Sequence, residues 1–260
     1  MQITLPKPPK VKEQSENRAV FEIEELYPGY GVTVGNALRR ALYSSLPGAA
    51  ITKVKIKGAP HEFSTLPGVL EDILEITLNL KQIFIKLHGD EPQSATIKIK
   101  GARKVTAADI TAPSQIEIIN KDAHIATLTS RDARFEAELT IEPGLGYIPV
   151  EQQQKGRAEI GAIPLDAIFT PMRKVNFEVE NMRMGERTNF NRLRLEIVTN
   201  GAISPQDALE YASNLLVDHF KLAGQFEKKE EKVKKSASKT KPKSGTKKAT
   251  KAKPGAKKEK

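Results

Sequence analysis

Apolar and polar side chains alternate along several short stretches of this chain. Val54 and Ile56 stand between Lys53, Lys55 and Lys57, and Phe135, Ala137, Leu139 and Ile141 alternate with Glu136, Glu138 and Thr140. Phe21 with Ile23 shows the same pattern early in the chain, as do Phe177, Val179, Leu193, Leu195 and Ile197 late in it. A two-residue period sets one face on a core and the other in water, so each stretch predicts a half-buried antiparallel strand. Three stretches carry the helical period instead. Over residues 33–46, Val34, Ala37, Leu38, Ala41, Leu42 and Ser45 follow one face, and Pro47-Gly48 ends the run. Over residues 69–80, Leu70, Ile73, Leu74, Thr77 and Leu78 share a face. The third opens with Ser204 as cap, Pro205 at the first helical position and Asp207 in the first turn. It continues through Ala208, Ala212, Leu215, Leu216, His219 and Phe220 to about Ala223, with His219 on the stripe expected to be buried. The fold class is therefore α+β.

At 260 residues the chain has room for one large domain or two modest ones. It has no run of about 18 apolar residues that could span a membrane, and its first residues, MQITLPKPPK, lack a signal-peptide core. Cysteine is absent, which excludes disulfides, thiolate metal sites and a cysteine nucleophile and fits a reducing, cytoplasmic location.

The net charge of +10 is concentrated at one end. Residues 227–260 hold 15 Lys and 4 Glu, a net of +11, which leaves residues 1–226 at −1. With Val233 as its one large apolar residue, this tail cannot offset an ordering cost of about 1–2 kcal/mol per residue and is expected to be disordered. It reads either as a sequence-independent grip on a polyanion, with Lys234, Lys235, Lys247 and Lys248 among the phosphate contacts, or as a solubilising extension.

Candidate chemistry is sparse. His61, His88, His124 and His219 show no metal-ligand spacing. The glycines at 29, 31 and 35 match neither a P-loop nor a dinucleotide fingerprint and read as a tight strand-to-helix turn. Glu71, Asp72 and Glu75 read as a solvated or contact face. In the first helix, Asn36, Arg39, Arg40 and Tyr43 lie opposite Val34, Leu38 and Leu42. Paired arginines, an amide and an aromatic make either an interface or a solvated face.

Residues 31–50, GVTVGNALRRALYSSLPGAA, resemble the hallmark segment of the bacterial DNA-directed RNA polymerase alpha subunit family. The resemblance continues through residues 54–69 (VKIKGAPHEFSTLPGV), 71–81 (EDILEITLNLK), 105–110 (VTAADI) and 144–149 (GLGYIP). It extends to residues 176–180 (NFEVE), 186–188 (ERT) and 195–201 (LEIVTNG), and so covers nearly all of residues 10–226 in the family's order. It implies two subdomains. A dimerisation subdomain of antiparallel sheet plus two helices would comprise residues 1–48 and 166–226, and a mainly β insert residues 49–165.

On the same resemblance, Val34, Leu38, Leu42, Leu215, Leu216 and Phe220 would serve a homodimer interface. Asn36, Arg39, Arg40 and Ser44, with the loop His61, Glu62, Phe63, Ser64 and Thr65, would meet the beta subunit. Glu75, Lys81, Glu186 and Arg187 would also serve contacts with the large subunits, beta and beta-prime. The implied role is a non-catalytic platform for transcription, in a complex that also holds omega and sigma. No cofactor is expected on this chain, since magnesium and its acidic ligands would reside on partner subunits. The family's helical C-terminal DNA-binding domain is not expected here, where the lysine tail stands instead. Two rivals remain at this point. One is a stand-alone nucleic-acid-binding protein acting through the tail, against which the near-neutral body argues. The other is a small-molecule enzyme in residues 49–165, which lacks a nucleophile–base or ligand constellation.

Overall fold

The alternating segments pair as strands, and every pairing is antiparallel. The computed structural model describes residues 3–153 and 161–225. The chain opens with β1 (Lys10–Gln14), β2 (Arg18–Leu26), α1 (Tyr30–Ser44), β3 (Pro47–Ile56) and α2 (Ile73–Leu80). Next come β4 (Ile85–Leu87), β5 (Gln93–Lys100), β6 (Lys104–Thr106), β7 (Ile110–Thr111), β8 (Ile116–Ile118) and β9 (His124–Thr127). The long β10 (Arg134–Leu145) leads to β11 (Tyr147–Ile148), the short α3 (Val150–Gln153), β12 (Ala162–Pro164) and β13 (Ala167–Ile168). Last are the long strands β14 (Met172–Met184) and β15 (Arg187–Thr199), then α4 (Pro205–Ala223).

Two sheets organise two cores. A four-stranded sheet runs β1-β2-β15-β14. Its apolar face, with Phe21, Ile23, Leu193, Leu195 and Ile197, packs against Leu38 and Leu42 of α1 and Ala208, Leu209 and Ala212 of α4. A seven-stranded sheet runs β7-β5-β10-β3-β4-β8 with β12 beside β3. It shares a core with α2 in which Val54, Ile56, Phe135, Leu139, Ile73 and Ile76 are buried. The chain is thus α+β with two subdomains, the sheet bearing α1 and α4 being built from both ends of the described chain and the larger sheet from its middle.

The other face of the four-stranded sheet is a lattice of charges. Glu22 is buried, 3.2 Å from both Arg194 and Lys12. Burial acts to raise its carboxyl, but these cations, with Arg192, hold it below the usual range.

The helices depart from the sequence reading in informative ways. α1 begins at Tyr30, three residues early, after Gly29 in the left-handed conformation at φ 87°. Its buried face includes Gly31 and Gly35, so these glycines bring helix and sheet together as well as making a turn. A Cβ on Gly35 would lie 2.6 Å from the Phe177 ring and 2.9 Å from Leu193 Cδ1. Tyr43, assigned to the free polar face, turns inward and its hydroxyl accepts the amide of Val175 at 2.8 Å.

α2 starts later than its period suggests because Asp72 caps it, accepting the Glu75 amide at 2.7 Å. The buried side is Ile73, Ile76, Thr77 and Leu80, while Leu74 and Leu78 face outward with Leu70, which lies before the helix. Glu71 also precedes the helix and is buried, so it is not part of a solvated face. α4 keeps its expected start, with Ser204 Oγ accepting the Asp207 amide at 3.1 Å. His219, expected to be buried, is exposed in the single chain and sits 2.8 Å from the carbonyl of Leu215. The tail lysines 234, 235, 247 and 248 lie outside the described residues.

Candidate subunit interface

The side chains singled out on α1 form one local surface. Asn36, Arg39, Arg40 and Ser44 are exposed, and with Tyr43 they line a shallow concavity of about 380 Å³. The Ser44 hydroxyl donates back one turn to the Arg40 carbonyl at 2.8 Å. Arg39 and Arg40 are therefore held on a rigid helix whose opposite side is locked into the core by Leu38 and Leu42.

The second cluster lies on the larger subdomain. His61, Glu62 and Phe63 line a concavity of about 520 Å³ with Val150, Pro164 and Asp166. Ser64 closes the loop, its hydroxyl donating to the His61 carbonyl at 2.7 Å, and its own carbonyl accepts the Ile73 amide at 3.2 Å. The loop is thereby tied to α2, on which Glu75 is exposed. Thr65 is exposed beside it. Lys81 pairs with Asp166 at 2.8 Å, and Asp166 also accepts the Val150 amide at 3.1 Å. Lys81 and that amide hold the Asp166 carboxyl below its ordinary value. Residues 61–65, 75 and 81 are brought together in this way.

The third group stands apart. Glu186 and Arg187 sit at the β14–β15 turn, and the Arg187 guanidinium lies 5.6 Å from the Phe190 ring and 5.9 Å from Tyr27. Tyr27 stacks edge-on with Tyr30, which places Arg187 at the start of α1. At about 1.5 Å per residue, that is roughly 20 Å from Ser44 at the helix end.

Several exposed apolar residues were not among the expected contacts. Tyr147 and Ile168 are register partners on the β11–β13 ribbon, and Leu145 is exposed beside them. This ribbon lies between the α1 cluster and Asp166: a Cβ on Gly146 would stand 3.7 Å from the Ser44 carbonyl, and Ile148 pairs with Ala167. Leu70, also outside that expectation, is 71% exposed, and Phe63 of the expected loop is 74% exposed. The hydrophobic period of residues 69–80 held a signal for a second apolar face, but not for which face would be left uncovered.

A different surface involves α4. Ala208, Ala212, Leu216 and Phe220 fall at four-residue intervals on one stripe. The first two are buried, Leu216 is half-buried with its neighbour Leu215, and Phe220 is 67% exposed. Of the α1 residues expected at a dimer interface, Val34 is half-buried. Leu38 and Leu42 are consumed by this chain's own core and have almost no surface left for a second copy.

Glu71 completes the local electrostatics. Its carboxylate accepts the Thr127 amide at 2.6 Å and the Thr127 hydroxyl at 2.8 Å, with His124 Nε2 also at 2.8 Å. Burial acts to raise its carboxyl, but these partners hold it below the usual range. Among the described residues, no group of three or more His, Asp or Glu is arranged to hold a metal ion, and no helix is long and apolar enough to cross a membrane.

Residues 54–170 match the RNA polymerase Rpb3/RpoA insert domain, which covers most of the larger subdomain. The chain is 50% identical over 202 residues to the DNA-directed RNA polymerase subunit alpha of Symbiobacterium thermophilum, covering 78% of this chain and 64% of that relative. It is 48% identical over 216 residues to the subunit of the same name from Carboxydothermus hydrogenoformans, covering 82% and 69%. The same identity holds over 226 residues with that of Roseiflexus sp. strain RS-1, covering 87% and 69%. The chain thus spans about two-thirds of the length of these relatives. With an insert-domain match in its middle and alpha-subunit similarity over most of its length, this chain belongs to the bacterial DNA-directed RNA polymerase alpha subunit family.

Proposed function

We propose that this chain is a homodimeric platform on which the beta and beta-prime subunits of a DNA-directed RNA polymerase assemble. Residues 1–48 with 166–226 serve dimerisation, and residues 49–165 extend the docking surface. Nucleotidyl transfer, with its magnesium, belongs to the partner subunits, and omega and sigma join the same complex. The observation that carries the reading is the α4 stripe, which is buried as far as Ala212, half-buried at Leu216 and exposed at Phe220. A helix of 19 residues whose apolar face outruns its own sheet is suited to a second copy, whose identical stripe meets it in a two-fold contact.

Docking of the large subunits is supported by three features of the fold. They are the Arg39–Arg40 face of α1, the Tyr147–Ile168 ribbon, and the loop and helix residues gathered around His61, Glu75 and Lys81. Rigid arginines beside exposed aromatic and aliphatic residues are the composition of interface hot spots. Co-expression with beta and beta-prime tests the reading. A dimer that takes up beta and then beta-prime is expected, and a soluble monomer that ignores both overturns it.

A further inference from the structure

The seven-stranded sheet has one face in the core and one in water, and the wet face is charged unevenly. Val54, Ile56, Ala95, Ile97, Phe135 and Leu139 point into the core shared with α2. Their alternating neighbours on β3, β5 and β10 point the other way, and the register fixes where each stands. Lys100 lies opposite Arg134, Lys98 opposite Glu136 and Thr96 opposite Glu138. On the other side of β10, Glu138 lies opposite Lys55 and Thr140 opposite Lys53. Lys57 pairs with Glu136 at 2.9 Å.

Two rows of lysine therefore flank a central strand that carries two carboxylates. Lys53, Lys55, Lys57, Lys98, Lys100 and Arg134 stand against Glu136 and Glu138, a net of +4, whereas residues 1–226 as a whole sum to −1. All six cations are exposed, and among the described residues Lys57 is the one of them in an ion pair. The excess is felt at Glu136, whose carboxyl is held below its ordinary value by Lys57, with Lys98 and Arg134 adding to it. Lys55, Lys57, Lys98, Glu136 and Glu138 line a shallow concavity of about 510 Å³.

The dimensions and the central carboxylates narrow the occupant. Strands about 4.8 Å apart set the two lysine rows about 9.6 Å from each other, and two-residue steps make the face about 20 Å long. An extended segment of about six residues has that length, and its successive side chains point to opposite sides. Laid along β10, it sends acidic side chains to both lysine rows. Its backbone N–H groups then fall over Glu136 and Glu138, which can only accept. The phosphate chain of DNA offers no donor there and would set its own charge against both carboxylates. None of the outward side chains named above is aromatic, so bases find no ring to stack on.

We propose that the wet face of β5, β10 and β3 docks a short acidic segment of a partner protein, lying along β10 between the two lysine rows. Exposed ion pairs over so small an area make the contact weak and salt-dependent.

The test uses the full chain and a fluorescein-labelled peptide of eight alternating Asp and Glu residues with blocked ends, followed by anisotropy at low salt. Changing Lys53, Lys55, Lys98 and Lys100 together to Gln is expected to weaken binding about tenfold. Glu138→Gln, which removes the central repulsion, is expected to strengthen it about twofold. All five positions face water, so the melting temperatures are expected to stay at the parent's. The 15 lysines of residues 227–260 attract the same peptide, so carbodiimide coupling and peptide mapping read where it sits. Amide links at Lys53, Lys55, Lys98 or Lys100 are expected.

An affinity that the four substitutions leave unchanged, or links confined to residues 227–260, overturns the proposal. A mixed-sequence duplex of 30 base pairs that loses more affinity than the peptide on the same substitutions assigns the face to nucleic acid and overturns it as well. If the four-lysine variant does not fold, Glu138→Gln and the coupling map decide alone, and weaker binding by Glu138→Gln overturns the proposal.

Discussion

Glu71 and Thr127, 56 positions apart, are joined twice: the Glu71 carboxylate takes the Thr127 amide at 2.6 Å and its hydroxyl at 2.8 Å. The contact fixes the residue before the α2 cap to the end of β9, so it sets where α2 begins and which side chains that helix turns outward.

Replacing Glu71 by Gln is expected to destabilise the fold at neutral pH by about 1.5–3 kcal/mol, the scale of hydrogen bonds to a buried charge. The sign with pH follows from the lowered carboxyl. A group held below its ordinary 4.5 contributes stability that is present above that pH and is lost as pH falls through the lower, folded value. The gap between parent and variant in urea midpoints is therefore expected to narrow below about pH 4.5. A gap of constant size from pH 7 to acid would show that the carboxylate charge contributes nothing there.

Gly35→Val is expected to cost at least about 2 kcal/mol, because both side chains that the new Cβ meets belong to the sheet's packed face. Phe177 and Leu193 would have to move, and α1 would lift from β14 and β15. Thermal unfolding checks this, and an unchanged midpoint would mean that the helix shifts freely on its sheet.

These two contacts also show how far the sequence could be read. Alternation such as Val54–Ile56 against Lys53–Lys57 carries its own answer, since a strand with one wet face needs only its own side chains to declare it. The start of α4 was equally local, because Ser204, Pro205 and Asp207 act within one turn. In α2 the sequence ILEITLNL is apolar on nearly every side. Period alone could not say whether Ile73 and Ile76 or Leu74 and Leu78 would meet the core, because the β9 contact through Glu71 decides it from far away in the chain. Tyr43 failed for the same reason, as its partner amide at Val175 is 132 residues distant. On the α1 surface, the exposure of Arg39 and Arg40 was legible from period, whereas Tyr147 facing out beside Ile168 depends on a ribbon register that no local pattern encodes.

Phe220→Asp is expected to break the homodimer while leaving each chain folded. Phe220 is exposed in the single chain and lies beyond the α4 residues that serve its own core, so the substitution removes little intrachain packing. Facing a symmetric copy, it sets a charge in an apolar contact. Sedimentation velocity with circular dichroism checks it: monomers of native helicity are expected, and an intact dimer would place the two-fold contact elsewhere.

Arg40→Ala and Leu78→Asp separate docking from dimerisation. Arg40 lies on the α1 face away from the core, and Leu78 is 50% exposed on α2, so neither change is expected to disturb folding or the α4 stripe. If these faces receive the large subunits, losing a rigid arginine from a well-packed centre costs about 2 kcal/mol or more, some 30-fold in affinity. Introducing a carboxylate among exposed leucines costs a comparable amount through its desolvation. Pull-down of beta by the variant dimers reads the effect directly. Loss of beta with the dimer intact is the expected result. Loss of dimerisation on Arg40→Ala would instead assign the arginine face of α1 to the second copy, and the large subunits would then have to dock through the β11–β13 ribbon and the loop at His61.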